Sequence, residues 1–266
     1  MKKYWLIFKL TLEEYFVYRL NFFLWRFRNI ISFLVLFFFW EAVYQGKGEI
    51  FGYQKEQMLT YIVGVSFLKA LVLGSGTADF AGMIKSGEIV GRFLLKPWRV
   101  VVVLFFRDLP AKILDVTFAF LEIFVVARII NLPIFWQKNL STLFLFILVI
   151  ATAFLTYFAI SFLLSLIAFW VDNVWAPRWL FGVIFLEFFS GAFFPLDVLP
   201  KTLVNLINLT PFPYLVYFPI KIYLGKIPIF DIIRILFLMF FWLLALFYLV
   251  SFVWKKGLKV YSGYGG

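Results

Sequence analysis

The chain has 266 residues, 64% of them hydrophobic and 23% aromatic, with a mean hydropathy of +0.98, and ordinary soluble domains are only about 45–50% apolar. This composition specifies an integral membrane protein, and the absence of both Cys and His excludes disulfide frameworks, Cys/His zinc sites, Ser-His-Asp or Cys-His catalytic units and His proton relays. A net charge of +11 in a soluble protein would suggest nucleic acid, but here Lys and Arg flank apolar runs and read as topology signals, so no nucleic-acid partner is expected.

The opening segment, MKKYWLIFKLTLEEYFVYRLNFFLWRFR, has no small-residue cleavage site and predicts no cleavable signal peptide. Its aromatic and aliphatic residues are interrupted by Lys9, Glu13, Glu14, Arg19, Arg26 and Arg28. That pattern predicts an interfacial amphipathic helix over residues 1–28 lying on the membrane. An extended first membrane helix is the other reading.

Crossing a hydrocarbon core takes about 20 helical residues, and the apolar runs predict six crossings within one all-α membrane domain over residues 1–266. They cover residues 29–44, 58–80, 109–130, 140–170, 177–194 and 229–254. The first is short unless it borrows residues before Arg28, and the fourth is long enough to tilt or project. Gly64, Gly74, Gly76 and Gly82, in and after the second, read as close-packing positions.

Lys and Arg concentrate on one side of this arrangement, in residues 2–28, 85–112, 178 and 255–259, whereas Lys47, Lys55, Lys138, Lys201, Lys221 and Lys226 fall on the other. Both termini therefore read as cytoplasmic.

Between spans two and three, Gly82, Gly87 and Gly91 punctuate a segment that Pro97 stops. Ile84, Ile89, Val90, Leu94 and Leu95 alternate there with Lys85, Glu88, Arg92 and Lys96, which predicts a short amphipathic cytoplasmic helix over residues 83–97 suited to docking. Between spans five and six, apolar sequence is broken by Pro195, Pro200, Pro211, Pro213 and Pro219. Asp197 and Pro200 mark a helix start, and Leu199, Leu203, Leu206 and Ile207 share one face opposite Lys201, Thr202, Asn205 and Asn208. About three helical turns, a break at residues 210–213 and a second short helix ending at Gly225 predict a re-entrant pair over residues 196–225. An interfacial loop capping the bundle is the alternative.

Charges inside spans are costly and face protein or water. Lys69, Asp115, Glu122 and Glu187 are such positions, with Asp115 and Glu122 on one face of span three. Pairing between helices, for example Lys69 with Glu187 or Glu122, competes with contact to a transported molecule as their role. Arg128 is expected to snorkel to the outer interface, and Asp231 and Arg234 to pair at i, i+3. Asn139-Leu-Ser and Asn208-Leu-Thr match the glycosylation pattern, which is too short to carry a function.

The runs I-K-S-G-E-I at residues 84–89 and L-L-K-P at 94–97, with Tyr18-Arg19, G-A-F-F-P-L-D-V-L-P at 191–200, P-F-P-Y at 211–214 and G-L-x-x-Y-S-G at 257–263, follow one another along the chain. In this order they resemble one branch of the ABC-2-type permeases, the membrane subunits of a class of ATP-binding-cassette exporters. The tail departs in having Val260 where a second basic residue is expected.

The resemblance implies that the N-terminal interfacial helix, matched by residues 3–26, and a coupling helix, matched by 84–95, contact a separate ATPase. Ile84, Lys85, Gly87, Glu88, Ile89, Arg92 and Leu95 are then the expected contacts, with Glu88 and Arg92 polar and Ile84, Ile89 and Leu95 filling its groove. Residues 196–224 match the outer re-entrant element. Two permeases, copies or homologues, are expected to face each other in the cell membrane with the substrate passing between them. No G-x-x-x-x-G-K-[ST] loop occurs in the chain. No cofactor is therefore expected in it, and ATP and Mg belong on the partner ATPase. An ion-coupled secondary transporter would show repeats and breaks near the midplane. A membrane-embedded transferase would need clustered acids, bases or metal ligands. Neither pattern is found, and a Phe-rich bundle suits an amphipathic or lipid-like substrate.

Overall fold

The computed structural model describes residues 2–17 and 19–261, nearly all of them helical or in turns. Tyr18 of the Tyr-Arg motif and Ser262 and Gly263 of the tail lie outside the described residues. Helix α1 (Lys2–Val17) is followed by α2 (Arg19–Val43) and a small hairpin of β1 (Glu49–Ile50) and β2 (Tyr53–Gln54). Ile50 pairs with Tyr53 across a two-residue turn in which Phe51 and Gly52 both have positive φ, the tight geometry suited to a twisted hairpin. Next come α3 (Lys55–Leu71), α4 (Ala78–Lys85), a π-helical turn (Val90–Leu94) and α5 (Val100–Ile129). Helix α6 (Leu140–Leu166) is extended by a 3-10 turn (Ile167–Phe169), and α7 (Trp175–Phe181) runs on as a π-helix (Gly182–Phe188). Another 3-10 turn (Leu196–Val198) leads to α8 (Lys201–Ile207), α9 (Tyr217–Tyr223) and the long α10 (Ile229–Val260).

Among the described residues three stretches are long and apolar enough to cross a membrane, Phe23–Val43, Leu140–Phe169 and Ile229–Val260. The chain is thus a multi-pass membrane protein. Helix α6 is central, packing against α10, α4 and α9, while α5 packs against α1 and α3, and α2 lies on α3. Rings from four segments, Phe80, Phe93, Phe162 and Trp254, pack together at one end. Gly257 lets α10 approach Phe169 there, since a Cβ at that position would collide with the ring. At the other end Gln137 donates to the Tyr223 carbonyl (2.7 Å), and Lys226 donates to the Gly52 carbonyl (2.6 Å). The basic segments thus share one end, and the hairpin and proline-rich stretch share the other.

Several predicted boundaries move. Residues 19–28, assigned by sequence to the interfacial helix, belong to α2, because Arg26 finds carboxylate partners on α5 and need not reach water. The predicted second span breaks at residues 72–77, where Gly74 and Gly76 coincide with polar groups from α5 that satisfy the freed backbone. The fifth is seven α residues plus seven π residues, ending at Phe188. The helix after Pro200 has seven residues rather than three full turns, and the next begins at Tyr217. Gly225 does end α9, with φ of 66°. The Gly225 amide donates to Ile222 (3.0 Å) and the Lys226 amide to Lys221 (3.0 Å), a Schellman closure.

Candidate functional site

At the end that holds the start of α1 and the close of α10, α4 stops at Lys85 and Gly87 turns the chain with φ of 77°. This left-handed geometry splits the predicted coupling helix into two short pieces. Ile84 and Ile89 are 3% and 0% exposed, and Phe93 beneath them meets Phe80 edge to face. They anchor the segment from below, which corrects the expectation that Ile84 and Ile89 fill a partner's groove. Leu95, by contrast, is 77% exposed. Glu88 and Arg92 form an exposed i, i+4 pair at 2.8 Å. Lys85 reaches Asp172, between α6 and α7, at 2.7 Å, and that hydrogen bond holds the exposed carboxyl below its ordinary pKa. Helix α1 supports the same region, with Lys3 donating to the Pro97 carbonyl (3.3 Å) and Tyr4 stacked on Phe106. Its exposed Trp5, Leu6 and Leu10 form an apolar strip beside the exposed Lys9–Glu13 pair.

In the interior, α5 presents Asp108, Lys112, Asp115 and Glu122 at i, i+4, i+7 and i+14, one face of a helix. Asp108 accepts from the Gly76 amide at 2.6 Å, and Lys112 donates to the Val72 carbonyl at 3.4 Å, so both satisfy backbone released by the break between α3 and α4. Arg26, 4% exposed, binds Glu122 through two nitrogens, one at 2.7 Å, and touches Asp115 at 3.5 Å. Asp115 and Glu122 therefore serve helix pairing. Across the break, Thr77 and Ser161 hydroxyls share a 2.6 Å hydrogen bond, Ser165 donates to the Thr77 carbonyl (2.6 Å), and Arg178 donates to both serine hydroxyls. Lys69 on α3 pairs with Glu187 on the π-helix, as one of the two sequence alternatives had it. This pair remains about a third exposed, at 30% and 33%.

At the opposite end, Asp197 accepts from Tyr53 (2.6 Å), Tyr217 (2.7 Å) and Lys221 (3.0 Å). Burial opposes its ionised form, but the Tyr53 hydrogen bond and the Lys221 charge outweigh that and hold the carboxyl below its usual value. Burial and the same carboxylate push the Tyr53 and Tyr217 hydroxyls far up, so both stay protonated donors. Pro195 and Pro200 bracket the turn that positions Asp197, while Pro211 and Pro213 precede the buried run Tyr214, Leu215 and Val216. Helix α9 is embedded against α6 and α3, its Ile220 filling the space left by Gly64. Sequence reasoning missed Arg26, Asp108, Lys112 and the Asp197 cluster as structural centres. The i, i+4, i+7 spacing on α5 was the available signal for two of them.

The described residues hold no group of three or more Asp or Glu that could bind a metal. No curated protein and no solved structure matches the chain. A family model described as ABC-2 family transporter protein matches residues 30–265. Its span includes residues 83–97, the α5 charges Asp108, Lys112, Asp115 and Glu122, and the proline-rich end, and begins after Arg26. The chain belongs to the ABC-2 family of transporter proteins, as a membrane permease of an ABC transporter.

Proposed function

We propose that this chain is the membrane-spanning subunit of an ATP-driven exporter and that a separate cytoplasmic ATPase docks on Lys85, Gly87, Glu88, Arg92 and Leu95. The carrying observation is that this segment is charged and apolar on its open side yet pinned from below by Ile84, Ile89 and Phe93. A push on an anchored segment is passed to α4 and α5, whereas a loose loop would absorb it. The absence of a phosphate-binding loop from these 266 residues supports a partner that binds ATP and Mg. Closure of two ATPase subunits then tilts the bundles.

The clustering of Lys and Arg at the end with both termini supports placing that end in the cytoplasm of a cell membrane. Six crossings follow if α3 with α4, α5, and α7 with its π-helix join the three most apolar helices. The burial of α9 inside the bundle supports entry of residues 196–225 from the outer side. A second permease, copy or homologue, completes the passage. Lys69 and Glu187 face it, because a partly open ion pair at hydrocarbon depth needs protein or water on its open side. The aromatic surface suits an amphipathic or lipid-like cargo.

Gly87→Trp and Glu88→Trp test the docking assignment in the complete transporter. ATP hydrolysis should continue while export is lost, and the ATPase should co-purify more weakly. Normal coupled export in both variants would overturn it.

A further inference from the structure

Beside the docking segment, and sharing Phe93 with its underside, lies an open cleft of about 410 Å³ to which the proposed mechanism assigns no ligand. Phe93, Val101, Phe162 and Trp254 line its apolar part, and Lys96 and Arg99 are exposed beside them. None of the lining residues is acidic. Among the described residues neither Lys96 nor Arg99 forms an ion pair, and Lys96 instead lies over the Trp98 ring, 4.8 Å from its centre. The space falls within the range of about 300–1,000 Å³ typical of small-molecule sites. Its walls come from the π-helical turn and the residues after it, the start of α5, Phe162 of α6 and Trp254 of α10, just before the basic residues Lys255, Lys256 and Lys259.

We propose that this cleft binds one anionic phospholipid, its phosphate on Lys96 and Arg99 and an acyl chain against Val101 and Trp254. Charge complementarity selects an anion, and the partly open apolar wall selects one that carries a chain, since a soluble phosphate would gain nothing from Val101 or Trp254. Tryptophans and basic side chains at one depth mark a membrane interface, and basic pockets between membrane helices suit anionic headgroups. The proposal rests on the membrane placement of the bundle and not on the ATPase docking surface, which uses Glu88, Arg92 and Leu95 outside the cleft.

The purified full chain in neutral detergent is offered phosphatidylglycerol or phosphatidylcholine with identical acyl chains, and retained lipid is counted by native mass spectrometry. The natural chain should retain phosphatidylglycerol selectively. Lys96→Glu with Arg99→Glu should weaken that retention by more than roughly thirtyfold, since loss of two cations near an anionic surface costs about that much and the introduced carboxylates add repulsion. Lys96→Arg with Arg99→Lys should preserve it, and Val101→Trp, which fills the cleft and leaves both cations in place, should abolish it. If the acidic variant fails to fold by gel filtration, Lys96→Gln with Arg99→Gln takes its place. Equal retention of the two lipids, undiminished phosphatidylglycerol binding in the charge variant, or unchanged binding in Val101→Trp would each overturn the proposal. So would charge variants that lose a co-purifying ATPase while lipid binding stays intact, an outcome that assigns the cleft to the ATPase and leaves the Glu88 docking reading separately testable.

Discussion

Asp197 shows how one side chain ties separate parts of the chain together, since its partners come from the hairpin and from α9. Its depressed pKa makes its contribution fully present above the ordinary carboxylate value of about 4 and lost as pH falls through the folded value. Asp197→Asn should lower stability at neutral pH by about 1–2 kcal/mol, after discounting for partial exposure. It should also remove part of the acid-induced loss that the natural chain shows below about pH 4, as read by thermal unfolding in detergent. Gly191 sits nearby with φ of 82°, and a Cβ there would lie 2.8 Å from the Tyr61 hydroxyl and 3.0 Å from the Tyr217 Cβ. Gly191→Ala combines strain and crowding, so a loss of about 1–3 kcal/mol is expected in the same assay. Neither role was legible in sequence, where Asp197 read as a helix start and Gly191 as part of a motif.

For whole elements, polar pairing explains both the displaced boundaries and the join between α2 and α5. Arg26 is buried because Glu122 and Asp115 compensate its charge, and truncating one partner leaves the other buried and unpaired. Arg26→Leu and Glu122→Leu should each cost about 3–5 kcal/mol, and the double variant should be more stable than either single one. A strictly additive double variant, measured by thermal unfolding, would contradict this coupling. At the far end of the bundle, Gly257→Ala would press α10 onto the Phe169 ring and should cost about 1–3 kcal/mol. Long apolar helices such as α6 and α10 were readable from composition. The interruptions in the predicted second and fifth spans were not, because each depends on partners brought by another helix.

On the scale of the whole molecule, the two ends carry different chemistry, and a chain without cysteine allows their sidedness to be measured directly. Lys201→Cys should react with a membrane-impermeant maleimide on intact cells, whereas Lys256→Cys should react only after permeabilisation. The reverse pattern would invert the proposed orientation and place the docking segment outside the cell.

Sequence alone determined that the chain is a helical membrane protein, where its longest apolar helices lie and which transporter family it belongs to, because these follow from run length, composition and local motif order. Tertiary structure decided which buried charges find partners and which face of the segment around Gly87 is exposed. Arg26, Asp108 and Lys112 are tolerable inside the bundle only through partners distant in sequence, and Ile84 and Ile89 face inward because Gly87 reverses the chain between them. Local pattern gives the cost of burying a group, whereas only the assembled bundle supplies the atoms that offset it.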